Sequence, residues 1–247
     1  MIGEGKIILQ RDKMTFVSSF CVLNKDAIDL DQYLHFLHRK ELRYLETLKF
    51  EKRRSNFLMG RVAAKTAISK LSDEPLDSIA IEYGVFKFPI VKSIGIHNIQ
   101  IGISHTKNIG FAIAFPEEHP MGIDVEIIDD NRVNTIRKFI TEKELGLIAN
   151  IEKPFNMTST LVWSVKESIS KIFKTGLTMD FNVLEMKTLI KKGDFYISTF
   201  QNIAQYKGIS YQNQEYIFSL VLPKNTVIDL EVYKNTIDQI LNTECNK

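Results

Sequence analysis

Four short runs rich in β-branched residues and interrupted by glycine lie in the middle of the chain, at residues 79–84, 101–106, 109–115 and 121–128. Such runs are typical of strands bounded by turns. Longer patterns with apolar residues at spacings of three and four precede and follow them, which indicates amphipathic helices. A chain that combines a sheet and helices in this order is predicted to belong to the α+β class.

The helical patterns predict helices over residues 29–48, 55–71, 133–139, 141–148, 158–174 and 230–241. Thr141 followed by Glu144 forms a capping box at the start of the fourth, and Gly176 suits the end of the fifth. Residues 115–120 contain two prolines and mark the best boundary. The chain therefore divides at about residue 118 into an N-terminal half, 1–118, and a C-terminal half, 119–247.

Composition limits the classes of partner and compartment. Lys and Arg total 32 against 30 Asp and Glu, a net charge of +2, which argues against a nucleic-acid partner for the whole surface. The two cysteines, Cys21 and Cys245, have no metal-ligand spacing and fit a reducing cytoplasm. No apolar run approaches the roughly 20 residues of a membrane helix, and the N-terminus lacks the pattern of a secretory signal. We expect a soluble, cytoplasmic monomer.

Asp124 and Glu126 stand two residues apart in a predicted strand, so alternation sends both carboxylates to one face. Carboxylates this close repel each other, and a hard cation such as Mg²⁺ would neutralise them. An exposed strand face with two hydrated acids has the same pattern. The spacing alone leaves both interpretations open.

Glu167 and Lys171 stand four residues apart on a predicted helix, one turn after Trp163, the only tryptophan. This spacing puts a carboxylate and an ammonium group on one helix face. A surface ion pair, which contributes little to stability, has the same spacing. The pattern by itself does not separate a catalytic pair from a structural one.

A third group of residues could bind anions. Ser104 and His105 end a predicted strand, and their side chains can donate to a phosphate oxygen, although a single histidine is more often structural. The helices before it carry an excess of positive charge that could equally be a solvated face, and this includes Lys40, Arg43 and Arg61. Acids, a lysine and a basic N-terminal half suit the binding of a polyphosphate through Mg²⁺ and the transfer of one of its groups.

These motifs follow one another in an order that resembles the Sfp-like 4′-phosphopantetheinyl transferases. The sequence reads FLMGRVAAKTAI, then EYG and a proline, GISHT, GIDVE, and WSVKESISK followed by TGL. The resemblance covers roughly residues 40–180. The combination of GID-x-E with W-S-x-K-E-S-x-x-K is its most specific part.

The resemblance implies two similar α+β halves paired as a pseudo-dimer, with coenzyme A and Mg²⁺ in the cleft between them. The N-terminal half would bind coenzyme A, and the C-terminal half would be metal-binding and catalytic. The implied reaction transfers the 4′-phosphopantetheine group of coenzyme A to a serine of an apo acyl or peptidyl carrier protein and releases adenosine 3′,5′-bisphosphate. Fatty-acid, polyketide and nonribosomal-peptide carriers are all compatible.

The resemblance also assigns roles to individual residues. Asp124, Glu126 and Glu167 would hold Mg²⁺, Glu167 could also take the serine proton, and Lys171 would stabilise the leaving phosphate. The contacts to coenzyme A would come from Lys40, Arg43, Arg61, Lys87, Ser104 and His105. Relatives carry Lys-Pro directly after Tyr-Gly, whereas Lys87 stands two positions later and keeps the same face only in an extended segment.

Two alternatives use the same residues. A metal-dependent hydrolase of nucleotide pyrophosphates would employ the acids with water as nucleophile. A carrier-binding protein without activity would keep the surface and lose the chemistry, but the full set of acids and Lys171 argues against it.

Overall fold

A computed structural model describes residues 1–93, 95, 98–175 and 178–242. Gly176, expected at a helix end, the last two residues of the TGL motif and Cys245 lie outside the described residues. The strands, in chain order, are β1 (Ile2–Arg11), β2 (Met14–Asn24), β3 (Ala80–Tyr83), β4 (Pro89–Lys92), β5 (Ile99–His105), β6 (Ile109–Pro116), β7 (Gly122–Ile127), β8 (Met186–Lys192), β9 (Phe195–Phe200), β10 (Tyr206–Asn213), β11 (Tyr216–Pro223) and β12 (Val227–Ile228). The α-helices are α1 (Arg39–Glu46), α2 (Glu51–Ser72), α3 (Val133–Arg137), α4 (Glu142–Ala149), α5 (Phe155–Ile172) and α6 (Glu231–Asn242). This combination confirms the α+β class.

The chain forms two compact units, one of Met1–Pro120 with the chain from Val227 onward, and one of Met121–Thr226. The first unit contains an antiparallel sheet of order β12-β1-β2-β6-β5 and the hairpin β3-β4. Helix α2 packs its small and apolar residues, such as Val62 and Ala63, against the sheet. The sequence places the end of the chain in the C-terminal half. In the structure β12 and α6 join the first unit, because β12 pairs with β1 at Ile228 and Leu9 and α6 packs against β1.

The second unit contains an antiparallel sheet of order β7-β11-β10-β9-β8. Helix α5 crosses β7, β10 and β11 and buries one apolar face that includes Leu161, Val165 and Ile169. This helix begins earlier than the sequence predicts, at Phe155 directly after Pro154, a residue that suits a helix start. The sheet and α5 together fix the backbone positions of the acidic residues described below.

Each unit contains a buried carboxylate that connects a short helix, a long helix and a strand. In the second unit, Glu144 closes the predicted capping box with Thr141 at the start of α4. Its Oε2 atom lies 2.7 Å from Nζ of Lys166 on α5, and its Oε1 atom accepts from the backbone N–H of Met186. Neither Glu144 nor Lys166 is exposed. The pair holds α4, α5 and β8 together.

The first unit repeats this arrangement. Glu41 closes a capping box with His38 at the start of α1, and its Oε2 atom lies 2.8 Å from Nζ of Lys65 on α2. Its Oε1 atom accepts from the N–H of Ile81 in β3 and lies 3.2 Å from Nε of Arg61. The two units are therefore similar in construction, although no repeat is visible in the sequence. Their pairing as a pseudo-dimer stays a prediction.

The predicted helix over residues 29–48 is two elements in the structure. A 3-10 helix spans Leu30–Phe36 and α1 begins at Arg39, since His38 has an extended backbone and caps α1. None of the described helices combines the length and the apolar character that crossing a membrane requires.

Candidate functional site

Strand β7 carries two of the acids, and both turn toward α5. Asp124 is 4% exposed, and its Oδ1 atom accepts from Nζ of Lys171 at 2.8 Å. Glu126 accepts from the indole N–H of Trp163 at 2.8 Å. These contacts exclude the interpretation of β7 as an open strand face with two hydrated acids. Gly122 permits the close approach, because a Cβ atom there would overlap the carbonyl oxygen of Ser168 in α5.

Helix α5 carries the third acid, Glu167, and the lysine that sequence spacing pairs with it. Lys171 is instead directed at β7, where Nζ donates to the carbonyl oxygen of Ile123 at 2.8 Å as well as to Asp124. Its charge still acts on Glu167 from this position. Lys171 therefore joins the end of α5 to the strand that carries the other two acids.

Glu126 has a second cationic partner, Arg132, which is not part of any sequence motif. The Arg132 guanidinium donates to both carboxylate oxygens, from Nη1 to Oε2 and from Nη2 to Oε1, the latter at 3.3 Å. This ion pair raises the pKa of Arg132. Glu126 is thus held by a bidentate ion pair and a hydrogen bond from the Trp163 indole.

Glu167 has the most perturbed carboxyl group of the cluster. Burial, followed by the negative charges of Asp124 and Glu126, raises the pKa of Glu167 to about 7, against the opposing charges of Lys171 and Arg132. Burial and nearby like charges both disfavour the ionised form of a carboxyl group. The cluster thus has three carboxyl groups and two fixed cations, and it would gain from further positive charge.

The donor chemistry of the three carboxyl groups suits a hard divalent cation, which prefers oxygen ligands. Within the described ranges, no group of three or more His, Cys, Asp or Glu side chains has the arrangement of a preformed metal site. The contacts on the acids explain this, since Lys171 and Arg132 hold the Asp124 and Glu126 carboxylates. A cation would therefore have to share or displace these contacts.

The basic residues expected to contact coenzyme A have different surroundings in the first unit. Lys40 on α1 pairs with Glu82 of β3 at 2.5 Å and is 65% exposed, and Arg43 is exposed. Arg61 is 3% exposed, pairs with Glu41 and packs its guanidinium over the rings of Phe57 and Tyr83. Arg61 therefore has an internal, structural role here, whereas Lys40 and Arg43 are accessible.

Lys87 and the end of β5 complete this set. Lys87 has a positive φ of 60°, and its N–H donates to the carbonyl oxygen of Gly84. The extended segment on which the equivalence of Lys87 depends is therefore a turn. Ser104 is 8% exposed and His105 is exposed, at the C-terminal end of β5 as the sequence predicts.

Sequence reasoning singled out Trp163 but missed the rings that pack on it, Phe139 and Phe181, and it missed Arg132. Trp163 stacks on Phe181 with ring centroids 5.4 Å apart and contacts Phe139 at 5.1 Å, and these rings orient the indole toward Glu126. Arg132 follows Glu126 by six positions in an acidic loop, where no regular spacing connects the two. The only sequence signal for Arg132 was its position as a single arginine close to Asp129 and Asp130.

The second unit is an α+β domain with an acidic cluster that Lys171 and Arg132 contact. Residues 120–221 match the family model of the 4′-phosphopantetheinyl transferase superfamily. This match, over part of the chain, agrees with the family resemblance found in the sequence, and the Sfp-like subtype stays a prediction.

Individual relatives are similar to part of the chain. The holo-[acyl-carrier-protein] synthase of Mycoplasma capricolum subsp. capricolum is 39% identical over 72 residues, 28% of this chain and 64% of that protein. The corresponding synthase of Mycoplasma mycoides subsp. mycoides SC is 38% identical over 71 residues, with the same coverage of 28% and 64%. The chain thus spans 64% of the length of these relatives.

A solved structure was also found, that of a holo-(acyl-carrier-protein) synthase from Bacillus anthracis in complex with CoA (3′,5′-ADP). It is 23% identical, with a TM-score of 0.35, and the match covers 44% of this chain and 96% of that chain.

Proposed function

We propose that this protein is an Sfp-like transferase that moves the 4′-phosphopantetheine group of coenzyme A to a serine of an apo acyl or peptidyl carrier protein and releases adenosine 3′,5′-bisphosphate. The observation that carries the proposal is the position of Glu167, which burial and the charges of Asp124 and Glu126 keep partly protonated near neutral pH. The family match over residues 120–221 supports the same reaction class.

In this proposal Asp124, Glu126 and Glu167 would hold Mg²⁺, and the ion would supply positive charge to a pyrophosphate and to the negative charge that develops on bond cleavage. Lys171, held on Asp124 and the Ile123 carbonyl oxygen, presents a fixed positive charge to the leaving phosphate. The seryl hydroxyl loses its proton as it attacks the phosphorus atom. Glu167 is proposed to accept that proton directly or through a water molecule.

The contacts to the phosphates of coenzyme A are proposed for polar residues of the first unit, namely the exposed Lys40, Arg43, Lys87 and His105 together with Ser104, which is 8% exposed at the end of β5. Arg61 is left out, since its guanidinium is buried against Glu41. We further propose that the protein acts as a cytoplasmic monomer, which size-exclusion chromatography and cell fractionation would test. The comparisons give no support to the hydrolase alternative.

Mass spectrometry of an apo carrier protein, after incubation with coenzyme A and Mg²⁺, tests the reaction. We expect the carrier to gain the phosphopantetheine mass, and Glu167→Gln to abolish the gain while the circular dichroism spectrum is unchanged. Glu142→Gln is the matched control, because the Glu142 side chain is 86% exposed in a surface ion pair. Hydrolysis of coenzyme A without any carrier, or full activity of Glu167→Gln, would reject the proposal.

A further inference from the structure

The ion pair between Arg132 and Glu126 is the least expected feature of the acidic cluster. Both oxygens of the Glu126 carboxylate accept from the guanidinium, and Oε1 also accepts from the Trp163 indole. The Glu126 side chain is only 15% exposed, whereas Arg132 is 38% exposed. The arginine therefore covers a largely buried carboxylate from the solvent side.

The backbone around Arg132 is fixed by local contacts. Asp129 caps the short 3-10 helix Asp130–Arg132, with its side chain accepting from the N–H of Asn131 and its carbonyl oxygen accepting from the N–H of Arg132 at 3.0 Å. Asn156, in the first turn of α5, donates to Asp130 at 2.7 Å. The loop is thus hydrogen-bonded to α5, the helix that carries Glu167, and it positions the Arg132 guanidinium at Glu126.

The charges of the cluster show what the arginine does. Three acids face two cations, and Lys171 is anchored to β7 by the Ile123 carbonyl oxygen in addition to Asp124. The Arg132 guanidinium donates only to Glu126 among the side chains of the described residues. A divalent cation that uses Glu126 as a ligand would bind next to the Arg132 guanidinium, which already contacts that carboxylate, and the two like charges would repel each other.

We propose that Arg132 is an internal counter-cation that occupies Glu126 in the ion-free protein and lowers the affinity of the acidic cluster for its divalent cation by competing for that carboxylate. This role rests on the proposed metal site, and Arg132 is a positioning residue for Glu126. To bind the divalent cation, Glu126 must either keep Arg132 as a second partner or lose its contacts with Arg132. The arginine balances the charge of the cluster when the cation is absent.

Binding of Mn²⁺ to the metal-free protein tests this role without any transfer reaction. Trp163 is the only tryptophan and donates to Glu126, so quenching of its fluorescence by paramagnetic Mn²⁺ reports on the cluster. We expect Arg132→Gln to bind Mn²⁺ at least about tenfold more tightly than the wild type. Arg132→Lys, which keeps the charge but loses the bidentate contact, should fall between them.

Arg137→Gln is the matched control, because Arg137 pairs with the exposed Glu142 on the surface of the same unit. We expect it to leave the affinity for Mn²⁺ unchanged. Unchanged or weaker binding in Arg132→Gln would overturn the role of Arg132, and transfer activity of the wild type would then leave the proposed function standing. Failure of Mn²⁺ to quench the wild type would overturn both the metal assignment and this role, and the carrier assay would decide separately whether transfer occurs.

Discussion

Nζ of Lys166 lies 2.7 Å from Oε2 of Glu144, and neither side chain reaches solvent. Lys166 also donates to the carbonyl oxygen of Phe139 at 2.7 Å, and Glu144 accepts from the N–H groups of Thr141 and Met186. Such a pair is stable only while every charge and polar atom keeps its partner. It fixes α5 one residue before Glu167, so the geometry of the site depends on it.

Lys166→Met should therefore lower the free energy of unfolding by about 3–5 kcal/mol, because it leaves the Glu144 carboxylate buried without its cation. Urea unfolding followed by circular dichroism measures the change. Lys143→Met is the matched control, since Lys143 is 77% exposed in its ion pair with Glu185, and its cost should stay below about 1 kcal/mol. Equal costs for the two variants would contradict the assignment.

Glu167→Gln should change how stability depends on pH when no divalent cation is present. The pKa of Glu167 is raised from 4.5 to about 7 in the folded protein, so the folded state binds the proton more tightly than the unfolded state. The wild type therefore loses stability as pH rises from about 4.5 through about 7, by roughly 3 kcal/mol. The glutamine variant lacks this loss, and it should match the wild type at low pH and exceed it above neutrality.

Urea unfolding in EDTA across this pH range tests the prediction, with Glu142→Gln as an exposed control. A wild type that is as stable as Glu167→Gln above neutrality would contradict the raised pKa.

Binding of Mg²⁺ should release a proton below neutral pH. With a pKa of about 7, Glu167 is mostly protonated near pH 6, and a ligating carboxyl group must lose its proton. Calorimetric titrations in buffers of different ionisation enthalpy should show release of up to about one proton near pH 6, and little near pH 8.5. Release that persists unchanged in Glu167→Gln would assign the proton to another group.

Gly122→Ala should separate β7 from α5. Its Cβ atom would overlap the Ser168 carbonyl oxygen and lie 3.0 Å from Cγ1 of Ile172, so the strand must shift. We expect a loss of about 1–3 kcal/mol in stability and weaker Mn²⁺ binding. Gly146→Ala is the control with opposite sign, because nothing lies within 4 Å of its Cβ position in α4 and alanine favours the helix by about 1 kcal/mol.

The sequence predicted those helix ends that are set by residues a few positions away along the chain. The capping box of Thr141 and Glu144 and the end of α2 before Pro75 are both found in the structure. The break before α1, where His38 caps the helix, was not predicted, and Glu41 of that capping box also pairs with Lys65 and Arg61 of α2, which lie far along the chain. The spacing of apolar residues over 29–48 does not indicate the contacts of Glu41 with α2.

The same distinction holds for the site. Strand alternation placed Asp124 and Glu126 on one face, and the structure shows both in contact with α5. Helical spacing paired Lys171 with Glu167, but the spacing contains no information about β7, whose Asp124 takes the ammonium group. Arg132 reaches Glu126 through a loop, which no periodicity describes.

Both units contain a buried glutamate and lysine pair, Glu41 with Lys65 and Glu144 with Lys166. Among the described residues, only the second unit has the acidic cluster beside its pair. The residue that follows the paired lysine is Thr66 in α2 and Glu167 in α5. Thr66 bonds to Cys21, a wholly buried thiol on β2. Helix α2 thus has an uncharged residue at the position where α5 carries a carboxylate, so a buried glutamate and lysine pair can hold a long helix in place without an acid beside it.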